Sequence, residues 1–437
     1  MCRHMSLPNA TAAVSMPANP VVRWDHADLI RRVVDVLDLA LRMIRSMADT
    51  TAASVPATRD VGVAGRMREK AVSDTAMLLL CVEPLSTLDE RIRERFETLA
   101  VLLIPHARHD DVLAGMCLDP ATARDRSIGH IMLSRLGFPD PRVDALLSRS
   151  LAMGPNFGPE RLPHRVLEQA WLARLWSAVE PPTRRDADLV ADSMLGRPID
   201  ALGATRHDIC SFTRAVMYAS DVGRQRIAGL RSPAAIAADA DAALALTLDS
   251  NDFDLTAEVL MTWPMLGLAW TPAATFAFSI VANLQDTLGF LPGAALGETR
   301  YRPFAGDDRA RIALETSYHS TYVMGALCAA ALAPGREPPA IVRPARYARG
   351  ATAAVMALIG DDDSSPCWVE PLVALGPDRR DALASLLLTI VLRRARTRGN
   401  VKLVQQALEV ALAFDLIDGP APSQAAALLR RVQTMGA

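Results

Sequence analysis

The stretch LSTLDERIRERFETLAVLLIP, residues 85–105, carries the clearest helical pattern in the chain. Its apolar residues recur every three or four positions, the spacing that one face of an α-helix requires: Leu85, Leu88, Ile92, Phe96, Leu99 and Leu103. Thr87 and Glu90 predict a capping box at the start of this helix, and Pro105 predicts its end.

The same periodicity recurs along most of the chain. It predicts helices over 24–49, 119–136, 163–180, 204–222, 233–249, 252–266, 271–286, 307–332, 346–359, 376–397, 401–416 and 422–435. The sequence lacks alternating β-branched segments joined by hairpin turns. We therefore expect an all-α protein built as a helical hairpin array, an α/α toroid or a solenoid.

Two segments resemble each other and suggest an internal repeat. In 232–260 and in 377–408, an alanine- and leucine-rich helix ends at a small residue plus asparagine, and an amphipathic helix follows at once. With a one-residue gap, Leu255 matches Leu403. Recurring antiparallel hairpins are the units of toroids and solenoids, although any two helical hairpins share part of this pattern by chance.

Changes in composition divide the chain into four parts. Residues 1–23 are rich in Ala, Pro, Asn and Ser, and we expect them to form a disordered leader. They lack the continuous apolar core that a secretory signal needs. Helical regions are expected over 24–153, 154–332 and 333–437. The uncharged run 259–285 is long enough to span a bilayer, but Pro264, Gly267 and Pro272 interrupt it and predict buried helices instead.

The overall composition disfavours several classes of protein. A formal net charge of −2 disfavours a nucleic-acid-binding protein and gives no polybasic signal for a membrane surface. Six widely spaced cysteines form no CxxC pair and fit a reducing cytoplasm. All but two of the basic residues are arginine, which is typical of a GC-rich bacterial genome. The oligomeric state is not indicated.

The segment HDICSFTRAVMYASD, residues 207–221, places polar side chains in an otherwise apolar helix. At 100° per residue, one narrow strip contains His207, Ser211, Arg214, Tyr218 and Asp221. Thr205 and Asp208 predict a capping box, and Gly223 predicts the helix end. The strip is either a solvated helix face or the lining of a cavity.

A second polar set opens the segment RIALETSYHSTYVMGALCAAAL, residues 311–332. Glu315, His319 and Tyr322 share one helix face, and Tyr318 lies beside them. If this face is buried, its polar groups need partners, which another polar helix face can supply. The alternative is a structural histidine that is hydrogen-bonded within the core.

Two further polar groups are interpreted as structural. His164 and Glu168, with Trp171 at the same spacing, are typical of an exposed i, i+4 pair on a helix. The acidic residues Asp252, Asp254 and Glu258 are typical of a helix N-terminus, where the helix dipole favours negative charge.

The sequence contains none of the common catalytic motifs, such as HExxH, a P-loop, GxGxxG between strand and helix, or GxSxG. No cofactor is therefore indicated. A metal site that combines His207, Asp221 and His319 is chemically reasonable for zinc or iron(II), but no ligand spacing specifies it.

Three segments resemble an uncharacterised family of helical bacterial proteins, found largely in actinobacteria and sometimes beside natural-product genes. They are HDICSFTRAVMYASDVGR, NDFDLTAEVLMTWPMLGL and YHSTYVMGALCAA, within about 200–330. The resemblance implies correspondence at His207, Asp221, Gly223, Tyr318 and His319. Val222 departs from the aromatic residue of the family pattern, and Ser320 departs from its threonine. The resemblance implies no biochemical role.

These features favour a tailoring enzyme of specialised metabolism that acts on a small molecule or peptide in a helical cavity. In this hypothesis His207 or His319 is the general base, and Asp221 or Glu315 orients it. The predicted substrate-binding residues are Arg214, Tyr218, Tyr318 and Tyr322. The alternative is a helical-repeat binding or adaptor protein whose polar strips line an open concave surface.

Overall fold

The computed structural model describes residues 25–52, 61–153, 160–176, 186–227, 231–293, 306–339, 348–359 and 366–435. Helices account for the secondary structure of these residues, and none of them forms a strand. The prediction of an all-α protein is confirmed. The predicted leader, 1–23, lies outside the described residues.

The α-helices are α1 His26–Ala52, α2 Val61–Val82, α3 Glu90–Ala107, α4 Asp110–Leu118, α5 Ala123–Arg126, α6 Ile128–Arg135, α7 Pro141–Met153, α8 Pro163–Trp176, α9 Asp186–Asp192, α10 Arg206–Ala219, α11 Pro233–Asp249, α12 Phe253–Leu260, α13 Thr262–Leu266, α14 Pro272–Leu288, α15 Gly306–Ala331, α16 Ala351–Met356, α17 Val369–Ala374, α18 Pro377–Asp381, α19 Ala384–Thr397, α20 Val401–Ala413 and α21 Pro420–Met435. Short 3₁₀ helices occupy Glu83–Leu85 and Pro120–Thr122.

The helix α3 confirms the apolar face predicted from its sequence but corrects both of its ends. Ile92, Phe96, Leu99 and Leu103 are buried, whereas Leu88, which was predicted on the same face, precedes the helix and is exposed. The N-cap is Asp89, whose carboxylate accepts hydrogen bonds from backbone N–H groups, whereas the Thr87 hydroxyl donates to the Pro84 carbonyl. The carboxylate also interacts favourably with the helix dipole, which a hydroxyl does not do.

The helix α3 also continues through Pro105 to Ala107. A proline inside a helix removes one N–H donor and leaves the carbonyl four residues earlier without its helical partner. That carbonyl belongs to Val101, whose side chain is exposed, so the carbonyl lies on the face of the helix that water reaches.

Six helices enclose the centre of the molecule as a ring in chain order. α2 packs on α6, α6 on α8, α8 on α10, α10 on α12, α12 on α15, and α15 on α2 again. α15 also packs along α1, where Gly325 allows close approach: a Cβ atom there would lie 2.7 Å from Val36 Cγ1. A toroid or solenoid that includes the whole chain stays a prediction.

The two segments with similar sequences have similar local structures. α11 and α19 pack together, and each is followed by a residue with positive φ, Asn251 at 53° and Gly399 at 63°. The next residue then caps the following helix: the Leu255 N–H donates to Asp252, and the Leu403 N–H donates to Asn400. The sequence match therefore corresponds to one hairpin geometry used twice, and a longer repeat stays a prediction.

The uncharged run 259–285 forms the end of α12, the short α13 and most of α14. Gly267 ends α13 in the left-handed conformation, and Pro272 begins α14. The predicted interruption is confirmed, with one more helix boundary than expected at Met261. Across the described part of the chain, no helix has both the length and the apolar character needed to cross a membrane.

Candidate functional site

The ring of six helices surrounds a cavity of about 350 Å³. Every helix of the ring contributes side chains to it, and the residue after α12, Met261, contributes as well. The polar and charged lining residues are Lys70, Ser73, Asp74, Arg165, Glu168, Thr213, Arg214, Tyr218, Glu258, His319 and Tyr322. The cavity therefore combines charged and polar groups with apolar surface.

His319 lies at the centre of the main polar cluster. Its Nδ1 atom is 2.9 Å from Oδ2 of Asp74, and Lys70 Nζ lies 2.5 Å from the same oxygen. Its Nε2 atom lies 3.8 Å from Asp254 Oδ1 and 3.9 Å from Glu258 Oε1. The imidazole is therefore placed between one carboxylate on α2 and two on α12.

In each α12 carboxylate, the oxygen that does not face His319 is held by a neighbouring residue. Thr213 Oγ1 donates to Glu258 Oε2 at 2.6 Å, and Arg206 pairs with Asp254 Oδ2 at 3.4 Å. Asp254 Oδ1 is buried and has no hydrogen-bond partner. Asp254, Glu258 and His319 each offer a ligand-type atom, and these atoms lie within 4.8 Å of one another.

The charges of this cluster depend on one another. Burial opposes charge on His319, but the hydrogen bond to Asp74 and the nearby α12 carboxylates raise its pKa to about 10. Burial would raise the pKa of Asp74 and of Glu258, but His319 lowers both. Burial raises the pKa of Asp254. His319 is therefore an imidazolium at neutral pH.

A second polar group lies on α8 and α10. The Tyr218 hydroxyl donates to Glu168 Oε1 at 2.5 Å, and Arg165 pairs with the other oxygen at 2.6 Å. Burial, and then the adjacent Glu168 carboxylate, raise the pKa of Tyr218 well above its usual value, so the phenol stays protonated. Arg214 also lines the cavity, and no described residue forms a hydrogen bond or ion pair with it.

The predicted site residues fall into two groups. His319, Arg214, Tyr218 and Tyr322 line the cavity. Tyr318 is buried beside them, with its ring centroid 5.5 Å from that of Tyr322.

The other three predicted residues, His207, Asp221 and Glu315, are not among the described residues that line the cavity. His207 and Glu315 are exposed, at the first turn of α10 and on α15. Asp221 follows α10 and accepts a hydrogen bond of 2.7 Å from Trp171 Nε1, so it orients a cavity-lining indole. His207 and Glu315 therefore do not line the cavity with His319.

The sequence interpretation missed or misjudged several cavity residues. It predicted no helix over 61–82, so it missed Lys70 and Asp74, although Ala71, Thr75, Leu78 and Val82 show helical spacing and are all buried. The interpretation of His164 and Glu168 as an exposed pair is wrong, because both side chains are buried against neighbouring helices. Exposure depends on those neighbours, which the sequence of α8 does not specify.

The capping box at Thr205 and Asp208 is confirmed. α10 ends at Ala219, before the predicted stop at Gly223. Asp221 and Val222 both have positive φ, and Gly223 follows at 86°. This left-handed turn directs Asp221 toward Trp171.

Comparison with known proteins identifies one family. Residues 35–329 match the family described as a domain of unknown function, DUF6895, and this range contains all of the ring except the last two residues of α15. No curated protein and no solved structure matches the chain. Because the match covers more than half of its length, the chain belongs to the DUF6895 family.

Proposed function

We propose that this protein is an enzyme that binds a small molecule in the cavity and transfers protons to or from it. The observation that carries this proposal is the convergence of His319 Nε2 with Glu258 Oε1 and Asp254 Oδ1, where His319 and Glu258 line the cavity. Histidine and carboxylate groups held in hydrogen-bonded pairs are the usual groups for acid–base catalysis. Titratable groups with strongly shifted pKa values inside a cavity are typical of active sites.

The cavity volume supports a small molecule, or the end of a peptide, as the substrate. About 350 Å³ lies within the range of small-molecule sites, and a folded partner cannot enter a space of this size. The wall formed by Met77, Leu78, Met132 and Leu172 provides apolar surface for the carbon skeleton of the substrate.

Arg214 supplies the group that would orient such a substrate. It is a cavity-lining guanidinium without a hydrogen-bonded carboxylate among the described residues, whereas Arg165 is already paired with Glu168. A guanidinium of this kind favours a carboxylate or phosphate on the ligand. Tyr218 and Tyr322 provide phenol groups on neighbouring parts of the wall.

We further propose that the protein acts as a tailoring enzyme in bacterial specialised metabolism, in the cytoplasm. The support is the resemblance of the segments around His207, Asn251 and Tyr318 to helical proteins that are sometimes found beside natural-product genes. The arginine-rich composition adds support for a bacterial source.

The alternative function is a non-catalytic binding or adaptor protein. The observation that favours it is the position of His207 and Glu315, which are exposed rather than directed into the cavity. An adaptor would use such exposed polar residues, and its cavity cluster would only stabilise the fold.

The proposal can be tested by exchange of substrate hydrogen with solvent. The purified full chain is incubated in D₂O with fractions of a bacterial metabolite extract, and mass spectrometry detects deuterium uptake or conversion. We expect His319→Gln to lose at least about 100-fold in rate, the scale of acid–base catalysis. The matched control is His26→Gln, an exposed histidine on α1. Full activity of His319→Gln would contradict the catalytic role of His319, and the absence of exchange or conversion by the wild type would support the adaptor alternative.

A further inference from the structure

We propose that Asp254, Glu258 and His319 bind a divalent transition-metal ion, which completes the site proposed above. The inference rests on the proposed function only in that the ion would lie at the proposed active-site cavity. Its basis is a set of three ligand-type atoms that lie within 4.8 Å of one another, close enough to share one ion.

The two carboxylates lie on adjacent turns of α12. Asp254 and Glu258 are four residues apart, so the helix places them on one face, and α15 packs against that helix with His319. Two carboxylate oxygens and one imidazole nitrogen form a mixed ligand set that suits zinc, manganese or iron(II).

In each of the three residues, one polar atom is fixed by a neighbour and the other is left for a ligand. Asp74 holds Nδ1 of His319, and Nε2 remains. Thr213 holds Oε2 of Glu258, and Oε1 remains.

Arg206 pairs with Oδ2 of Asp254, and Oδ1 remains buried without a hydrogen-bond partner. A buried carboxylate oxygen without a hydrogen bond is energetically unfavourable, and a bound cation would offset this cost.

The separations between the three residues suit an ion bound between them. The Nε2 atom lies 3.8 Å from Asp254 Oδ1 and 3.9 Å from Glu258 Oε1, beyond the length of a hydrogen bond. The ligand-type atoms of all three residues lie within 4.8 Å of one another. An ion between them, with ligand bonds of about 2.0–2.2 Å, requires only small side-chain movements.

The surrounding residues match the outer shell of a metal site. A carboxylate on the second nitrogen of a ligating histidine fixes the ring orientation and increases the basicity of the ligand. Asp74 has this position relative to His319. We therefore assign Asp74 as a positioning residue rather than a ligand.

The ion would leave coordination positions open toward the cavity, because the chain supplies only three ligands in the described cluster. A water molecule in an open position loses a proton near neutral pH, which is the usual catalytic use of such a site. This water would then carry the proton transfer of the proposed function.

The test is metal binding by the purified full chain after chelator treatment, with Zn²⁺ as the probe in calorimetry and Co²⁺ as the probe in visible absorption. We expect one Zn²⁺ per chain. Glu258→Gln and His319→Gln should weaken binding at least about 100-fold, and Asp74→Asn about 10–100-fold. The control is Glu168→Gln, which alters a carboxylate of the same cavity outside the cluster and should retain wild-type affinity.

Two results would overturn the metal site. One is the absence of stoichiometric Zn²⁺ binding to the wild type below about 1 mM. The other is an equal loss of affinity in Glu168→Gln and Glu258→Gln. If a ligand variant does not fold, X-ray absorption of the Zn²⁺-loaded wild type decides: nitrogen and oxygen ligands at about 2.0–2.2 Å are expected, and sulfur ligands contradict the site.

The two proposals can fail separately, because metal binding is measured without substrate. A protein that binds no Zn²⁺ but loses hydrogen exchange in His319→Gln would retain the enzymatic proposal and lose the metal. A protein that binds Zn²⁺ through these ligands and converts no small molecule would retain the metal and lose the enzyme.

Discussion

The imidazole of His319 and the carboxylate of Asp74 form a hydrogen bond of 2.9 Å between residues 245 positions apart in the chain. The bond joins α15 to α2, the two helices at which the ring closes. It fixes which nitrogen of His319 faces the α12 carboxylates. The orientation of this histidine therefore depends on closure of the ring.

Replacement of Asp74 by asparagine should weaken the hydrogen bond that orients His319, with little change in side-chain volume. We expect the downfield proton resonance of the Nδ1–H group of His319 to move upfield in the metal-free variant, because a neutral amide accepts a weaker hydrogen bond than a carboxylate. Proton NMR in water measures the change, and His319→Gln assigns the resonance. An unchanged resonance in Asp74→Asn would show that Asp74 does not hold the ring.

His164 should make stability depend on pH. Burial, and then the charges of Arg214 and Arg165, lower its pKa from 6.5 to about 4. The folded state thus binds fewer protons than the unfolded state between these values. The contribution of His164 to the free energy of unfolding is complete above pH 6.5 and falls as the pH decreases toward 4. The loss amounts to at most about 3 kcal/mol.

Urea unfolding of the wild type and of His164→Asn at pH 5 and pH 7 tests this prediction. The loss of stability between pH 7 and pH 5 should be smaller in the variant, because asparagine does not titrate. The exposed His26→Asn should retain the wild-type dependence. Equal pH dependence in all three proteins would contradict the prediction.

Asp241 should contribute a pH dependence of stability with the opposite sign to that of His164. Burial raises the pKa of Asp241 to about 7, and its hydrogen bond of 2.6 Å from Thr271 only partly offsets this. The folded state then binds more protons than the unfolded state, so stability decreases as the pH rises from 3.8 to 7. We expect Asp241→Asn to unfold at higher urea concentration than the wild type at pH 8. The two proteins should unfold alike near pH 4; a variant less stable than the wild type at pH 8 would contradict the sign.

A side chain at Gly223, in the turn after α10, should destabilise the folded state. The φ of Gly223 is 86°, and a Cβ atom would lie 3.1 Å from Met265 Cα and 3.2 Å from Arg336 Nη1. We expect Gly223→Ala to reduce the free energy of unfolding by about 1–3 kcal/mol. The matched control is Gly376→Ala, where no atom lies within 4 Å of the new Cβ. Denaturant midpoints compare the two, and similar values would refute the prediction.

The sequence alone was sufficient for the helical class and for much of the helical detail. Apolar spacing predicted α3 and its buried face, and the Thr205 and Asp208 pair predicted the start of α10. It also indicated His319, Arg214, Tyr218 and Tyr322 as residues of a polar pocket. These properties follow from interactions within one or two helical turns, which are local in the chain.

Only the tertiary structure decided which polar faces meet. Asp74 became the partner of His319 because ring closure brings α2 to α15, and Asp254 and Glu258 faced the same atom because α12 packs on α15. His207, on a helix with equally strong polar periodicity, remained exposed. Helical spacing determines which residues share a face, but the neighbouring helices determine whether that face meets water, core or cavity.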